Sequence, residues 1–252
     1  MQHFYVWKFN RTRRLFVVVS LAFIAALYVW VQSDGVMSVF SKKGPAALAR
    51  GNPDAKDIGL TFNISWGEEK VHDILKQLKD SDATATFFVS GEWAERHPDI
   101  LEAIIADKHE LGMLGYRYKS YLDQELSQVR KDLIYAKEVF RKLGYKDIQL
   151  LRTPSGHFSE EIIELAESLD FQVIHWNVNP NDWKNPGTQE ITDFVLKETD
   201  NGDIILLHAS DAAKQTAGAL KTILPGLKNK GYQFATISEI IHQAEAKEKI
   251  VE

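Results

Sequence analysis

From Asp54 onward the chain repeats one rhythm: a short apolar run, a polar break, then a longer stretch with apolar residues every third or fourth position. The short runs predict strands over residues 57–64, 83–90, 110–115, 148–152, 172–178, 203–208 and 233–236. The longer stretches predict helices over 71–79, 97–108, 124–143, 160–169, 191–198, 218–230 and 237–246. Pro98 suits the first turn of the second helix, and Gly144 ends the third. Strands that alternate with helices imply parallel pairing with helices covering the sheet. Seven such units in one domain favour an α/β fold of the irregular (β/α) barrel kind, with seven to eight units. In such a fold functional side chains collect at the C-terminal ends of the strands. Asn63, Arg152, Asn177 and His208 each fall at or just past such an end.

The first 53 residues break the rhythm. Lys8, Arg11, Arg13 and Arg14 precede an apolar stretch from Leu15 to Val31 that only Ser20 interrupts. As a helix it would span roughly 26 Å, enough for a bilayer core. The basic flank places that side in the cytoplasm and the rest outside it. A cleaved signal sequence is the competing reading, although no clean small-x-small site follows the run. The expected plan is a cytoplasmic basic segment (1–14), a transmembrane anchor or signal sequence (15–32), a linker (33–53), the α/β domain (54–246) and a charged tail (247–252). The localisation expected from it is a membrane-anchored protein with its C-terminal domain in the cell or forespore envelope, or else a secreted one.

Composition narrows the chemistry. The chain has no cysteine, which excludes disulfides, thiolate metal sites and cysteine catalysis. Its formal charge of -5 argues against a nucleic-acid binder, which needs a strongly basic face.

Three stretches and a set of scattered aromatics hold candidate chemistry. His208 ends the apolar run Ile204-Ile205-Leu206-Leu207, where an imidazole can act as general acid or sit as a core histidine bonded to backbone. Asp182-Trp183 lies in a polar loop; the carboxylate can orient an imidazole or simply cap a turn. Arg152 follows Leu150-Leu151 and precedes Thr153-Pro154; at the end of a buried strand it calls for an anionic partner, on the surface for none. Trp66, Trp93, Tyr116, Tyr118, Trp176 and Trp183 can stack on sugar faces or fill a core. A glycoside hydrolase on the same scaffold needs two facing carboxylates, and Asp182 has no evident partner.

These stretches resemble the motifs of the polysaccharide deacetylases (carbohydrate esterase family 4, the NodB homology domain). Leu206-Leu207-His208, Asp182-Trp183 and Arg152-Thr153-Pro154 are similar to the late motifs. Thr61-Phe62-Asn63-Ile64-Ser65-Trp66-Gly67 and the stretch from His109 to Tyr118 are similar to the early ones. The Thr-Phe-x-Ile-Ser-Trp-Gly variant, Gly91-Glu92-Trp93-Ala94-Glu95-Arg96-His97-Pro98 and Leu207-His208-Ala209-Ser210 resemble the PdaB-like sporulation deacetylases in particular. The resemblance implies a NodB-like deformed TIM barrel. It implies removal of acetyl groups from cell-wall glycan by a metal-bound water, an aspartate base and a histidine acid. On that mapping His208 is the acid, Asp182 orients it, Arg152 pairs with the base position, and Leu206 forms the pocket for the acetyl methyl. Trp183, Tyr118, Pro154 and Trp66 fall where substrate is bound.

The same mapping puts Asn63 at the base and Ile64, Leu114 and Tyr118 at the metal ligands. Asparagine takes no proton from water at neutral pH, and isoleucine ligates nothing. No metal or other cofactor is therefore expected. Two functions stay open: a deacetylase of peptidoglycan with slow or metal-independent chemistry, in the setting of sporulation, or a catalytically inactive membrane-anchored glycan-binding protein of the spore envelope.

Overall fold

The computed structural model describes residues 46–251, which belong to one compact unit, Pro45–Glu252. The elements in chain order are β1 (Asp57–Ile64), α1 (Lys70–Asp80), β2 (Thr86–Val89), α2 (Gly91–Arg96), α3 (Pro98–Ala106), β3 (Glu110–Met113), α4 (Leu126–Lys142) and β4 (Leu150–Leu151). They continue with α5 (Glu160–Glu167), β5 (Gln172–Val173), α6 (Thr188–Glu198), β6 (Ile204–His208), α7 (Thr216–Asn229), β7 (Gln233–Ala235) and α8 (Ile237–Val251).

The strands form one seven-stranded sheet in the order β5-β4-β3-β2-β1-β6, with β7 on β1. Every ladder is parallel. β1 pairs with β7 over Asp57–Gly59 and with β2 over Thr61–Ile64, so the two neighbours share its length in succession. The sheet is a curled half-barrel rather than a closed ring. Between β5 and α6 the chain makes only single bridges, Ile174 to Leu48 and Val178 to Ile205. The strand expected over 172–178 thus breaks after Val173, and its continuation crosses to the β6 edge instead of laddering.

The reason for these elements is burial on both faces of β1, β2 and β6, whose apolar runs are nearly continuous, as central parallel strands require. Phe62 of β1 stacks on Phe87 of β2 with ring centroids 5.0 Å apart. The main core gathers there with Ile64, Leu78, Trp93 and Leu101. α1 has a strongly amphipathic pattern and buries Val71, Ile74, Leu75 and Leu78. α2 was not expected; at six residues it is too short to show a period, and Pro98 then opens α3 as anticipated.

One expectation is corrected. The transmembrane segment expected over 15–32 lies outside the described residues, and among the described residues no helix is long and apolar enough to cross a membrane. The membrane anchor, the membrane as a partner and the membrane-anchored envelope localisation built on it are not carried into the functional reading.

Candidate functional site

A cleft of about 540 Å³ opens at the C-terminal ends of the strands. Strand alternation selects what faces it. Leu206 and His208 of β6 line it, while Ile205 and Leu207 point the other way into the main core. Asn63 of β1 also lines it and is the register partner of His208, so the two side chains stand next to each other.

His208 is held from behind. Its Nδ1 lies 2.7 Å from Asp182 Oδ1, and its backbone N–H donates to Asp182 Oδ2 at 2.8 Å. Thr216 Oγ1 donates to Asp182 Oδ2 at 2.7 Å and the Trp183 N–H to Oδ1 at 3.0 Å. The carboxylate is fully buried and receives four donors. That arrangement fixes the imidazole with Nδ1 toward the carboxylate and leaves Nε2 for the cleft. The loop delivers Asp182 through two asparagines in left-handed backbone, Asn181 at φ 55° and Asn185 at φ 54°, a conformation that asparagine tolerates. Asn185 also ties this loop to the one after β6, through Nδ2 to Ala212 O at 2.9 Å.

Arg152, just past β4, is completely buried and lies behind Asn63. Its Nη1 donates to Asn63 Oδ1 and Thr61 Oγ1, both at 3.0 Å. Its Nη2 donates to His175 O at 3.1 Å and its Nε to Ile174 O at 3.4 Å. The guanidinium sits 4.0 Å from the Phe88 ring centroid and 5.3 Å from that of Trp176. All four acceptors are neutral, and no carboxylate among the described residues pairs with it. Burial pulls its pKa from the usual range down to about 9, so it remains a cation at neutral pH. Because Asn63 Oδ1 accepts from Arg152, the Asn63 amide turns its N–H₂ toward the cleft. The position therefore offers donors where a base would offer a lone pair.

The positions that the motif resemblance maps to metal ligands do not fit a metal. Ile64 and Leu114 are fully buried and carry no donor atom. Ile64 packs in the main core, and Leu114 packs with Phe88, Leu150 and Ile174 in a second cluster. Tyr118 is 42% exposed on the cleft wall. Among the described residues no three His, Cys, Asp or Glu side chains come together. Among the described residues no acidic side chain lines the cleft either, and a two-carboxylate hydrolase needs a facing pair.

The remaining expected residues divide. Trp66, 63% exposed, and Trp183, 49% exposed, stand on the cleft rim. Trp66 is positioned by Asp211, which accepts from the N–H groups of Glu68, Glu69 and Lys70 at 2.8–3.1 Å and so caps α1. Gly67 between them has φ 81°, and a Cβ there would come within 2.3 Å of Asp211. Pro154 is buried and does not line the cleft; its neighbour Ser155 does, at φ 60°. Gly156 lacks the side chain that would otherwise meet the Trp176 ring at 2.2 Å, which lets that indole reach the wall. Asn177 goes elsewhere: it bonds Asp203 at 2.5 Å and Ile204 N at 2.9 Å, at the opposite end of β6. Ser155, His157, Asn179, Asn181 and Ser210 line the cleft without having been singled out. The φ > 0 serine inside Thr153-Pro154-Ser155-Gly156 has no sequence signal beyond the turn residues around it.

Residues 50–174 match the model of the family described as polysaccharide deacetylase. A peptidoglycan-N-acetylglucosamine deacetylase of Bacillus cereus is 32% identical over 191 residues, 74% of this chain and 88% of that protein. The peptidoglycan-N-acetylmuramic acid deacetylase PdaA of Bacillus subtilis is 29% identical over 79% of this chain and 76% of its own. A solved CE4 family pseudoenzyme from Bacillus anthracis superposes with TM-score 0.73 at 30% identity, covering 78% of this chain and 69% of that one.

Proposed function

This chain belongs to the polysaccharide deacetylase family, and we propose that within it the cleft binds N-acetylated cell-wall glycan without hydrolysing the acetamide. The chain is deacetylase-like with compromised catalysis. The observation that carries the proposal is the donor set. Two of the three ligand positions are hydrocarbon buried in two separate clusters, and the base position is an amide bonded to Arg152. No step through a metal can be written on such residues.

What remains suits binding. Trp66, Trp183 and Tyr118 offer flat faces to pyranose rings, and Leu206 offers an apolar floor for an acetyl methyl. Asn63 offers N–H donors to amide and hydroxyl oxygens, and His208, with Nδ1 on Asp182, offers its Nε2 lone pair to a hydroxyl or amide hydrogen. The relatives that act on peptidoglycan support this glycan class, and the similar pseudoenzyme supports a non-catalytic role. The setting proposed for that role, spore formation, comes from motif likeness to the PdaB-like subgroup.

A second reading is favoured by one observation, the intact Asp182–His208 pair. It is a slow deacetylase in which His208 serves as both base and acid. One experiment separates the two: acetate release from N-acetylglucosamine oligomers and peptidoglycan, with and without zinc, beside His208→Ala and a sedimentation assay of binding to peptidoglycan. We expect sedimentation by wild type and His208→Ala alike, and no release above the His208→Ala level. Release that ignores zinc and vanishes in His208→Ala establishes the second reading. Absence of binding by wild type overturns the first.

A further inference from the structure

We propose that Asp132 is a positioning residue of the cleft: through the loop after β3 it fixes the Tyr118 ring in the cleft wall, so that glycan meets an aromatic face already in place. The inference rests on the reading that this cleft is the glycan site, and it names the residue that prepares one wall of it. Tyr118 lines the cleft and is 42% exposed. Among the described residues no hydrogen bond or ring contact holds its side chain, so its place follows chiefly from where the main chain runs. Asp132, half-buried on α4, grips that run on both sides of Tyr118. Its Oδ2 accepts from the Tyr116 N–H at 2.9 Å and its Oδ1 from the Arg117 N–H at 3.2 Å. Beyond Tyr118, the Tyr121 hydroxyl donates to the same Oδ2 at 2.8 Å, from a ring that is itself buried. Asp132 does not line the cleft, so any effect it has on a ligand passes through the loop it holds.

The carbonyls of the same run are held from the other side. The N–H of Gly91 donates to Gly115 O at 2.8 Å and that of Glu92 to Tyr116 O at 3.0 Å. Gly115 has φ 76°, and a Cβ there would stand 1.9 Å from the Tyr121 hydroxyl and 2.6 Å from Asp132 Oδ2. Glycine is what lets the loop, the phenol and the carboxylate close on one point. Tyr116 packs edge-on against Tyr135 of α4 with ring centroids 4.4 Å apart, and its hydroxyl donates to Glu95 at 3.0 Å. Hydrogen bonds to an ionised acceptor are about twice as strong as neutral ones, so a carboxylate clasps this loop better than an amide can. A side chain and loop ordered beforehand spare the association the cost of ordering them.

The test is a double-mutant cycle on the full chain. Wild type, Tyr118→Ala, Asp132→Asn and the pair are titrated with N-acetylglucosamine oligomers by calorimetry and sedimented with peptidoglycan. Asp132→Asn is expected to weaken binding roughly three- to tenfold, the cost of ordering the ring and its loop on association. Added to Tyr118→Ala, the same substitution is expected to change nothing further. A role in overall stability alone would lower affinity by the same factor in both backgrounds. A second readout needs no glycan: the ring NMR signal of Tyr118 in protein made with ring-labelled tyrosine, assigned by its loss in Tyr118→Phe. Asp132→Asn is expected to move that signal towards the position of free tyrosine, while the amide signals of β1 and β6 stay where they are in wild type. Where wild type binds glycan, an affinity unchanged in Asp132→Asn, losses that multiply, or an unmoved ring signal each overturn the proposal and leave the glycan reading standing. If wild type binds no glycan, the glycan reading fails, and the ring signal alone decides whether Asp132 positions Tyr118. Should Asp132→Asn fail to fold, Tyr121→Phe, which keeps the buried ring and removes only its hydroxyl bond to Asp132, carries the same cycle with the same outcomes.

Discussion

Arg152 and Asn63 set the terms at the scale of single residues. A buried guanidinium without an anion is a costly arrangement, since breaking a buried ion pair typically costs about 3–5 kcal/mol. Here four neutral acceptors and two aromatic faces offset part of that cost. Asn63→Asp should therefore stabilise the protein by about 2 kcal/mol at neutral pH, read as a rise in the urea midpoint. The introduced carboxylate would have its pKa depressed by Arg152, so the gain is present above the ordinary carboxylate range and is lost as pH falls through the depressed value. An unchanged or lowered midpoint at neutral pH would contradict this account of Arg152. Asp182 behaves in the opposite sense. Asp182→Ala strands four donors, two of them from His208 at the base of the cleft, and should cost about 3 kcal/mol or more in the same assay. The sequence made both residues visible as candidates, yet left Arg152 with a choice between an anion and the surface. The answer, four neutral oxygens including two main-chain carbonyls, depends on where residues 174 and 175 cross it, and no local pattern encodes that.

The loops between elements decide whether the aromatic rim exists. Asp211, from the loop after β6, caps α1 and thereby pins the turn that displays Trp66. Removing the cap in Asp211→Ala should cost about 1 kcal/mol of stability and weaken glycan binding through Trp66, with cleft residues on β6 untouched. Differential scanning calorimetry and the sedimentation assay read the two effects; a stability loss with full glycan binding would show that Trp66 is not a contact. The strands β1, β3 and β6 and the helices α1, α3, α4, α5 and α7 were legible within a few residues, because each buries a continuous run or a single stripe. Elements of fewer than two helical turns, too short to repeat their pattern, were not. α2 has six residues, and the three short 3₁₀ turns at Tyr121–Asp123, Pro154–Gly156 and Asp182–Lys184 have three each. The last two of those turns flank the cleft, which is why its motif residues could be named from the sequence while their placement could not.

For the molecule as a whole, the half-barrel brings β1, β4 and β6 together at one end, and that convergence was foreseeable from the alternation of strands and helices. Its acid tolerance was not. His109, between α3 and β3, is buried against Phe87, and neither ring nitrogen has a hydrogen-bond partner among the described residues. Desolvation lowers its pKa, with Asp107 pulling weakly the other way. Above the unfolded value near 6.5 both states hold the ring neutral and His109 contributes nothing to pH dependence. Below it the unfolded chain takes up a proton that the folded one refuses, so stability falls until the lowered folded pKa is reached. His109→Phe should flatten the drop in urea midpoint between pH 7.5 and pH 5.5; an unchanged slope would place the acid sensitivity elsewhere. The apolar side chains at positions 64 and 114 have a longer consequence. Each is now structural hydrocarbon in its own cluster, so a lone reversion to a polar ligand would bury an unsatisfied group before any ion could repay it. That works as an evolutionary ratchet: a lineage can drift into this state one substitution at a time, but the way back runs uphill until several positions change together.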